Sequence, residues 1–143
     1  ATPKPSSAAS DVYKRQLDDM RAYATILPAV NQVELHPWNQ RPALRAATEA
    51  IGANVMAYSP LARGHKVECG NLTKIAKSLG CTPAQAAIKW VYDTGAITIP
   101  KSSNPSRIDE NLASLKVDIN GTESAFNQLE EAYVSGWNPT AEP

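Results

Sequence analysis

The stretch ITIPKSSNPSRIDEN, residues 97–111, decides how this chain is read. A short apolar run ends at Pro100, a loop carrying Lys101 and Ser102 follows, and then comes a helix start. Asn104 suits the N-cap. Pro105 suits the first helical position, where its missing N–H costs nothing because that donor has no intrahelical partner. Arg107 then falls in the first turn. A strand end, an ammonium, a hydroxyl, free helix N–H groups and a guanidinium thus converge on one point. The set suits a phosphate, because a helix start offers donors and partial positive charge, arginine a bidentate fork and lysine a point charge. The pattern implies nucleotide or sugar-phosphate binding; the competing reading is a solvated loop lysine beside a helix-surface arginine.

Outward from this loop, three short apolar runs read as strands: residues 29–35 (AVNQVEL), 54–59 (NVMAYS) and 96–100 (AITIP). Their composition fits strands buried on both faces. Helices are expected between and after them. Residues 42–51 have Pro42 in the first turn and Gly52 beyond the end, and residues 71–79 stop at Gly80. Residues 82–94 open with TPAQ, a capping box in which Thr82 caps and Gln85 reaches back, with an apolar stripe of Ala84, Ala87, Ile88 and Val91. Residues 105–115 form the helix after the phosphate loop. Thr122 is expected to cap a last helix through Val134, with Phe126, Leu129 and Ala132 or Tyr133 inward. Residues 17–24 read as the end of a helix whose buried face holds Leu17, Met20 and Ala24.

Alternating strands and helices imply right-handed crossovers and a parallel sheet. No G-x-G-x-x-G follows any strand, which argues against a doubly wound dinucleotide fold. The fold class expected is α/β: a partial (β/α)8 barrel comprising carboxyl-terminal strands and helices only, with ligands at the strands' carboxyl ends.

With 143 residues and a formal net charge of zero, the chain has length for one core and no bulk basicity for nucleic acid. No apolar run reaches the roughly 18 residues a membrane span needs, and no secretory leader pattern is visible. Cys69 and Cys81 lack the spacing of a zinc or redox motif, and His36 and His65 stand apart, so no metal site is expected. A reducing, cytoplasmic setting fits. Residues 1–16 are rich in Pro, Ser and Ala without apolar periodicity and read as disordered or foreign, leaving residues 17–143 as the folded unit.

At the strand ends lie Gln32, Glu34 and His36; Tyr58 and Ser59; and Lys101 and Ser102. On one barrel mouth they would line one cavity, Tyr58 offering a flat aromatic face and Gln32 a donor and acceptor for a carboxamide. Tyr58 and Gln32 also fit ordinary packing, and Glu34 with His36 fits a pair that orients a loop. Arg41, Arg45 and Glu49 read as a solvated helix face, Trp90 and Trp137 as packing residues. No nucleophile–base pair, nucleophile elbow or paired carboxylates stand out, so no catalytic residue is assigned.

Four segments in order, PAVNQVELHPWNQRP (residues 28–42), VMAYSPLARG (55–64), TPAQAAIKW (82–90) and ITIPKSSNPSRIDENL (97–112), closely resemble the carboxyl half of aldo-keto reductases. The resemblance implies a (β/α)8 barrel binding extended NADP(H) and reducing an aldehyde or ketone. It implies that Gln32 bonds the nicotinamide carboxamide, that Tyr58 stacks on the nicotinamide ring, and that Ser59 and Leu61 lie along the pyrophosphate. Lys101, Ser102 and Arg107 would hold the 2′-phosphate, with Glu110 and Asn111 at the adenine. Trp38 would be a substrate-side aromatic.

The family's catalytic Asp, Tyr, Lys and His lie on early strands that have no counterpart here, and the surroundings of Tyr13 match none of them. The segment DVYKRQ, residues 11–16, resembles a translated sequencing adapter, so an assembly artefact joined to a truncated reductase is expected. Such a chain is expected to be inactive alone and to self-associate through open sheet edges. Two alternatives are a non-catalytic NADP(H)-binding module and another phosphate-binding barrel, such as an aldolase forming a Schiff base at Lys101.

Overall fold

Each of the three apolar runs forms a strand: β1 (Val30–Glu34), β2 (Asn54–Tyr58) and β3 (Ile97–Thr98). They form one parallel sheet in the order β1-β2-β3 in a computed structural model that describes residues 14–136. Parallel neighbours need a crossover, and the helices supply it: α2 (Pro42–Ala50) joins β1 to β2, and α3 (Gly70–Ser78) with α4 (Pro83–Asp93) joins β2 to β3. Preceding the sheet is α1 (Lys14–Tyr23); α5 (Pro105–Ala113) and α6 (Glu123–Asn127) follow it. The architecture is part of a (β/α)8 barrel, three strands and their helices, not a closed one. No helix among the described residues is long and apolar enough to cross a membrane.

Strand alternation sorts the side chains. Val33, Val55 and Ala57 are buried on the helix-covered face. Asn31 shares it, donating through Nδ2 to Thr48 Oγ1 at 2.9 Å, while Thr48 Oγ1 donates to the Leu44 carbonyl at 2.9 Å. That bond fixes α2 against β1. The core continues through Leu72 and Ile75 of α3 and through Ala87, Ile88, Trp90 and Val91 of α4. Trp90 stacks on Phe126 with ring centroids 6.2 Å apart, so it is a packing residue as expected. Residues 14–16 of the stretch set apart in the sequence lie in α1; the rest of that stretch and Trp137 lie outside the described residues.

The α4 capping box is present. Thr82 Oγ1 accepts from the Gln85 amide at 3.2 Å, and Gln85 Oε1 accepts from the Thr82 amide at 3.1 Å. Three other expectations are corrected. β3 is not buried on both faces: Ile97 and Ile99 are 43% and 39% exposed, because their face is the barrel interior and three strands do not enclose it. Arg41 and Arg45 are half-buried, their Nε groups donating to the Glu34 and Gln40 carbonyls at 3.2 and 3.0 Å, so they are not a solvated face. The last helix ends at Asn127, not at Val134. Thr122 does not cap it but donates to the Ile119 carbonyl at 2.6 Å. Beyond α6 the chain turns at Ala132 (φ 51°), and the amides of Glu131 and Tyr133 both donate to the Trp38 carbonyl, at 3.2 and 2.9 Å. Those tertiary bonds replace helical ones.

The Thr82 hydroxyl also donates to Glu110 Oε1 at 2.6 Å, coupling the α4 cap to α5. Thr82→Ala therefore lowers stability by about 1–2 kcal/mol, whereas Thr82→Ser costs less than half of that. Urea unfolding of both variants measures this, and equal midpoints for alanine and wild type would exclude a stabilising cap.

Candidate functional site

In-register parallel pairing places partners on the same face. Gln32 pairs with Met56, and Met56 with Ile97, forming one layer across the open face. Tyr58 pairs with Glu34, two residues further along. Gln32 and Tyr58 therefore share the open face, one strand apart and roughly 7 Å apart along the strands. Both are half-buried.

Tyr58 is followed by a tight loop. Ser59, Ala62 and Arg63 adopt left-handed φ values of 48°, 48° and 53°, and Gly64 has φ 85°. For non-glycine residues this backbone costs about 1–2 kcal/mol each. Amides of Ala62, Gly64 and His65 close the loop on the carbonyls of Ser59, Leu61 and Ala62, at 2.8, 2.8 and 3.0 Å. Strain of this kind clusters where a backbone must meet a ligand.

At the carboxyl end of β3, Asn104 caps α5, its Oδ1 accepting from the Ser106 amide at 2.9 Å. Ser102 Oγ accepts from the Asn104 amide at 3.1 Å and so buttresses the cap. Pro105, Ser106 and Arg107 form the first turn. Lys101 and Arg107 are both exposed, one on each side of that cap in sequence, at the same end of the helix. Positive potential at this corner comes from both side chains and from the helix start. Glu110 lies on the other flank: its carboxylate holds Thr82, and its carbonyl accepts from Gln85 Nε2 at 3.3 Å. The Asn111 carbonyl accepts from Ser114 Oγ at 2.6 Å.

Glu34 and His36 form the structural pair that the sequence suggested. His36 Nε2 lies 3.2 Å from Glu34 Oε1, both side chains are buried, and His36 Nδ1 has no partner among the described residues. The same carboxylate oxygen accepts from the Ser135 amide at 2.9 Å and from the Ser135 hydroxyl. Burial alone would raise the Glu34 carboxyl, but hydrogen bonds from His36 and Ser135 outweigh it and hold it below the ordinary 4.5. Trp38, expected beside a substrate, is 1% exposed and belongs to the core, with His36 packed at 5.7 Å between ring centroids. Sequence reading missed Ser135, because a bond spanning 101 residues leaves no local pattern.

Among the described residues no three His, Cys, Asp or Glu side chains gather as a metal site. Both cysteines are free, and burial pushes the Cys81 thiol up. A cavity of about 570 Å³ lies away from the candidate cradle, lined by Arg45, Lys89, Trp90, Asp118, Glu123 and Asn127.

Residues 66–134 match the model of the aldo/keto reductase family. Aldose reductase B of Dictyostelium discoideum is 42% identical over 109 residues, which are 75% of this chain and 35% of that protein. The 7-acetyl-epi-neemfruitin B aldo-keto reductase of Melia azedarach is 44% identical over 110 residues, 72% of this chain and 34% of that protein. The chain thus spans about a third of the length of these two relatives. Among solved structures, a Gox0644 mutant in complex with NADPH superposes with a TM-score of 0.84 at 31% identity, covering 94% of this chain and 50% of that one. An aldo-keto reductase of Bombyx mori in complex with NADP superposes with a TM-score of 0.77 at 28% identity, covering 88% and 45%.

Because folding holds the Glu34 carboxyl below 4.5, its contribution is complete above that value and is lost as pH falls through the lower folded value. Glu34→Gln is therefore less stable than wild type at neutral pH, and the two converge in acid. Urea midpoints across a pH series measure this; a constant difference between the two proteins would remove Glu34 from the acid response.

Proposed function

This chain belongs to the aldo/keto reductase family, and we propose that it is the NADP(H)-holding part of an oxidoreductase that reduces a small aldehyde or ketone to an alcohol. One observation carries the reading: the two cations flanking the α5 cap lie at the same sheet edge as the Gln32–Tyr58 face. Lys101, Ser102 and Arg107 would hold the 2′-phosphate, Arg107 as a bidentate fork and Lys101 as a point charge. The strained loop at Ser59 and Leu61 would present backbone to the pyrophosphate. Tyr58 would stack on the nicotinamide, and Gln32 would bond its carboxamide. Glu110 and Asn111 would reach the adenine, Glu110 while still holding the α4 cap. The cofactor, when bound, supplies the hydride.

No residue here occupies a motif position for the proton donor, so carbonyl reduction is proposed to need groups beyond the Gln32, Tyr58 and Lys101 constellation. Taken by itself the chain is a binding module. The free cysteines favour a reducing, cytoplasmic setting. The open face adds a second proposal. Ile97 and Ile99 are exposed on that face, and Ile108, Leu112 and Leu115, later in the chain, are exposed as well, at 51%, 68% and 47%. Apolar area beside an unpaired parallel strand favours self-association.

Titration with NADPH should saturate, and Arg107→Ala should weaken it about tenfold or more while leaving NADH binding nearly unchanged. Equal losses for both nucleotides would remove Arg107 from the 2′-phosphate. Light scattering should show mass rising with protein concentration; a monomer at every concentration would rule out the open face as a contact.

A further inference from the structure

The strained loop after β2 touches the chain's last described residues, and the two run side by side. Lys66 Nζ bonds Glu131 Oε2 at 2.6 Å and sits 4.9 Å from the centre of the Tyr133 ring. The Glu131 carboxylate raises the Lys66 ammonium above its ordinary value. His65 Nδ1 and the Tyr133 hydroxyl are 2.9 Å apart. The Arg63 guanidinium rests on Gly136 so closely that a Cβ there would come within 2.8 Å of it. Three successive contacts therefore pair residues 63, 65 and 66 with residues 136, 133 and 131.

The other side of this segment is fixed to the last residue of β1 and to the loop that follows it. Glu131 and Tyr133 donate to the Trp38 carbonyl, Glu130 accepts from the Gln40 amide at 2.5 Å, and Ser135 is held by buried Glu34. Residues 130–136 thus form a strap, anchored on Glu34, Trp38 and Gln40 and laid along the loop after β2. An exposed ion pair alone contributes little. Here the pair acts with a ring contact, a hydroxyl bond and a close-packed glycine on one loop whose backbone is strained at three non-glycine positions. A left-handed turn persists only where its surroundings over-determine it.

We propose that residues 130–136 are a latch that holds the loop of residues 59–66 in its strained form, making Glu131, Tyr133 and Gly136 positioning residues for cofactor binding. The inference rests on the reading of Ser59 and Leu61 as the pyrophosphate loop. None of the three need touch the nucleotide. Their effect is preorganisation: a loop ordered beforehand loses less freedom when the ligand arrives.

The test uses the full chain and two variants. Tyr133→Phe combined with Glu131→Gln removes the hydroxyl bond and the ion pair but keeps the ring. Gly136→Ala displaces only the flexible end of Arg63. Hydrogen exchange at the amides of Ala62, Gly64 and His65 reports the latch without any ligand, NADPH titration reports its consequence, and urea midpoints check the global fold. The latch predicts exchange about fivefold or more faster at those amides, NADPH affinity about fivefold weaker, and midpoints nearly unchanged. Unaltered exchange in both variants overturns the latch. Faster exchange with unaltered affinity overturns its positioning role. Failure of the wild type to bind NADPH saturably, by contrast, overturns the cofactor reading itself and the strap's role in it.

Discussion

The in-register parallel ladder is the constraint on which the rest depends. Parallel strands cannot be joined by tight hairpins, so each connection must return along the helix-covered face before the next strand begins. All carboxyl ends therefore open at one edge. The Asn31–Thr48 bond and the α4 capping box lock the returning helices in place. The loops at residues 35–41, 59–66 and 99–104 are brought together as a consequence. Residues far apart in sequence, such as Gln32 and Tyr58, acquire a common face through this ladder, and Lys101 follows β3 at its carboxyl end.

Two kinds of physics meet at that edge. On the β3 side, the corner is electrostatic: two exposed cations and a capped helix start, cheap to maintain because solvent screens them. On the β1 and β2 side, the edge is held by buried polar bonding. Glu34 accepts from Ser135 and His36 out of contact with water, where removing either partner would leave a costly orphan. Strength is thus placed in the anchor, while the surface left for a ligand stays open. Burial of Trp38 and exposure of Ile97 and Ile99 follow from the same geometry: one belongs to the helix-backed core, the others to an interior that three strands do not close.

Much of this was legible in the sequence because it is local. The TPAQ capping box, the Asn104 cap with Pro105 behind it, and the three apolar strand runs carry their causes within a few residues. The length of α6 was not legible. A capping residue and an apolar stripe at Phe126 and Leu129 suggest a longer helix, but the Trp38 carbonyl, over 90 residues away, competes for the amides that would continue it. Arg41 and Arg45 read as a solvated face because their carbonyl partners lie at the end of β1 and in the loop after it and leave no helical periodicity. Four motifs suggested the constellation of Gln32, Tyr58, Lys101 and Arg107; the strap across residues 59–66 rests on contacts that no motif contains.

Backbone amide shifts in an isotope-labelled sample, followed as NADP+ is added, locate the ligand without presupposing turnover. Saturating shifts should concentrate at residues 58–64 and 101–107, with smaller changes at Gln32. Shifts gathering around Lys89 and Asn127, at the cavity they line, or no saturable shifts in a folded sample, would contradict an anion cradle at the start of α5.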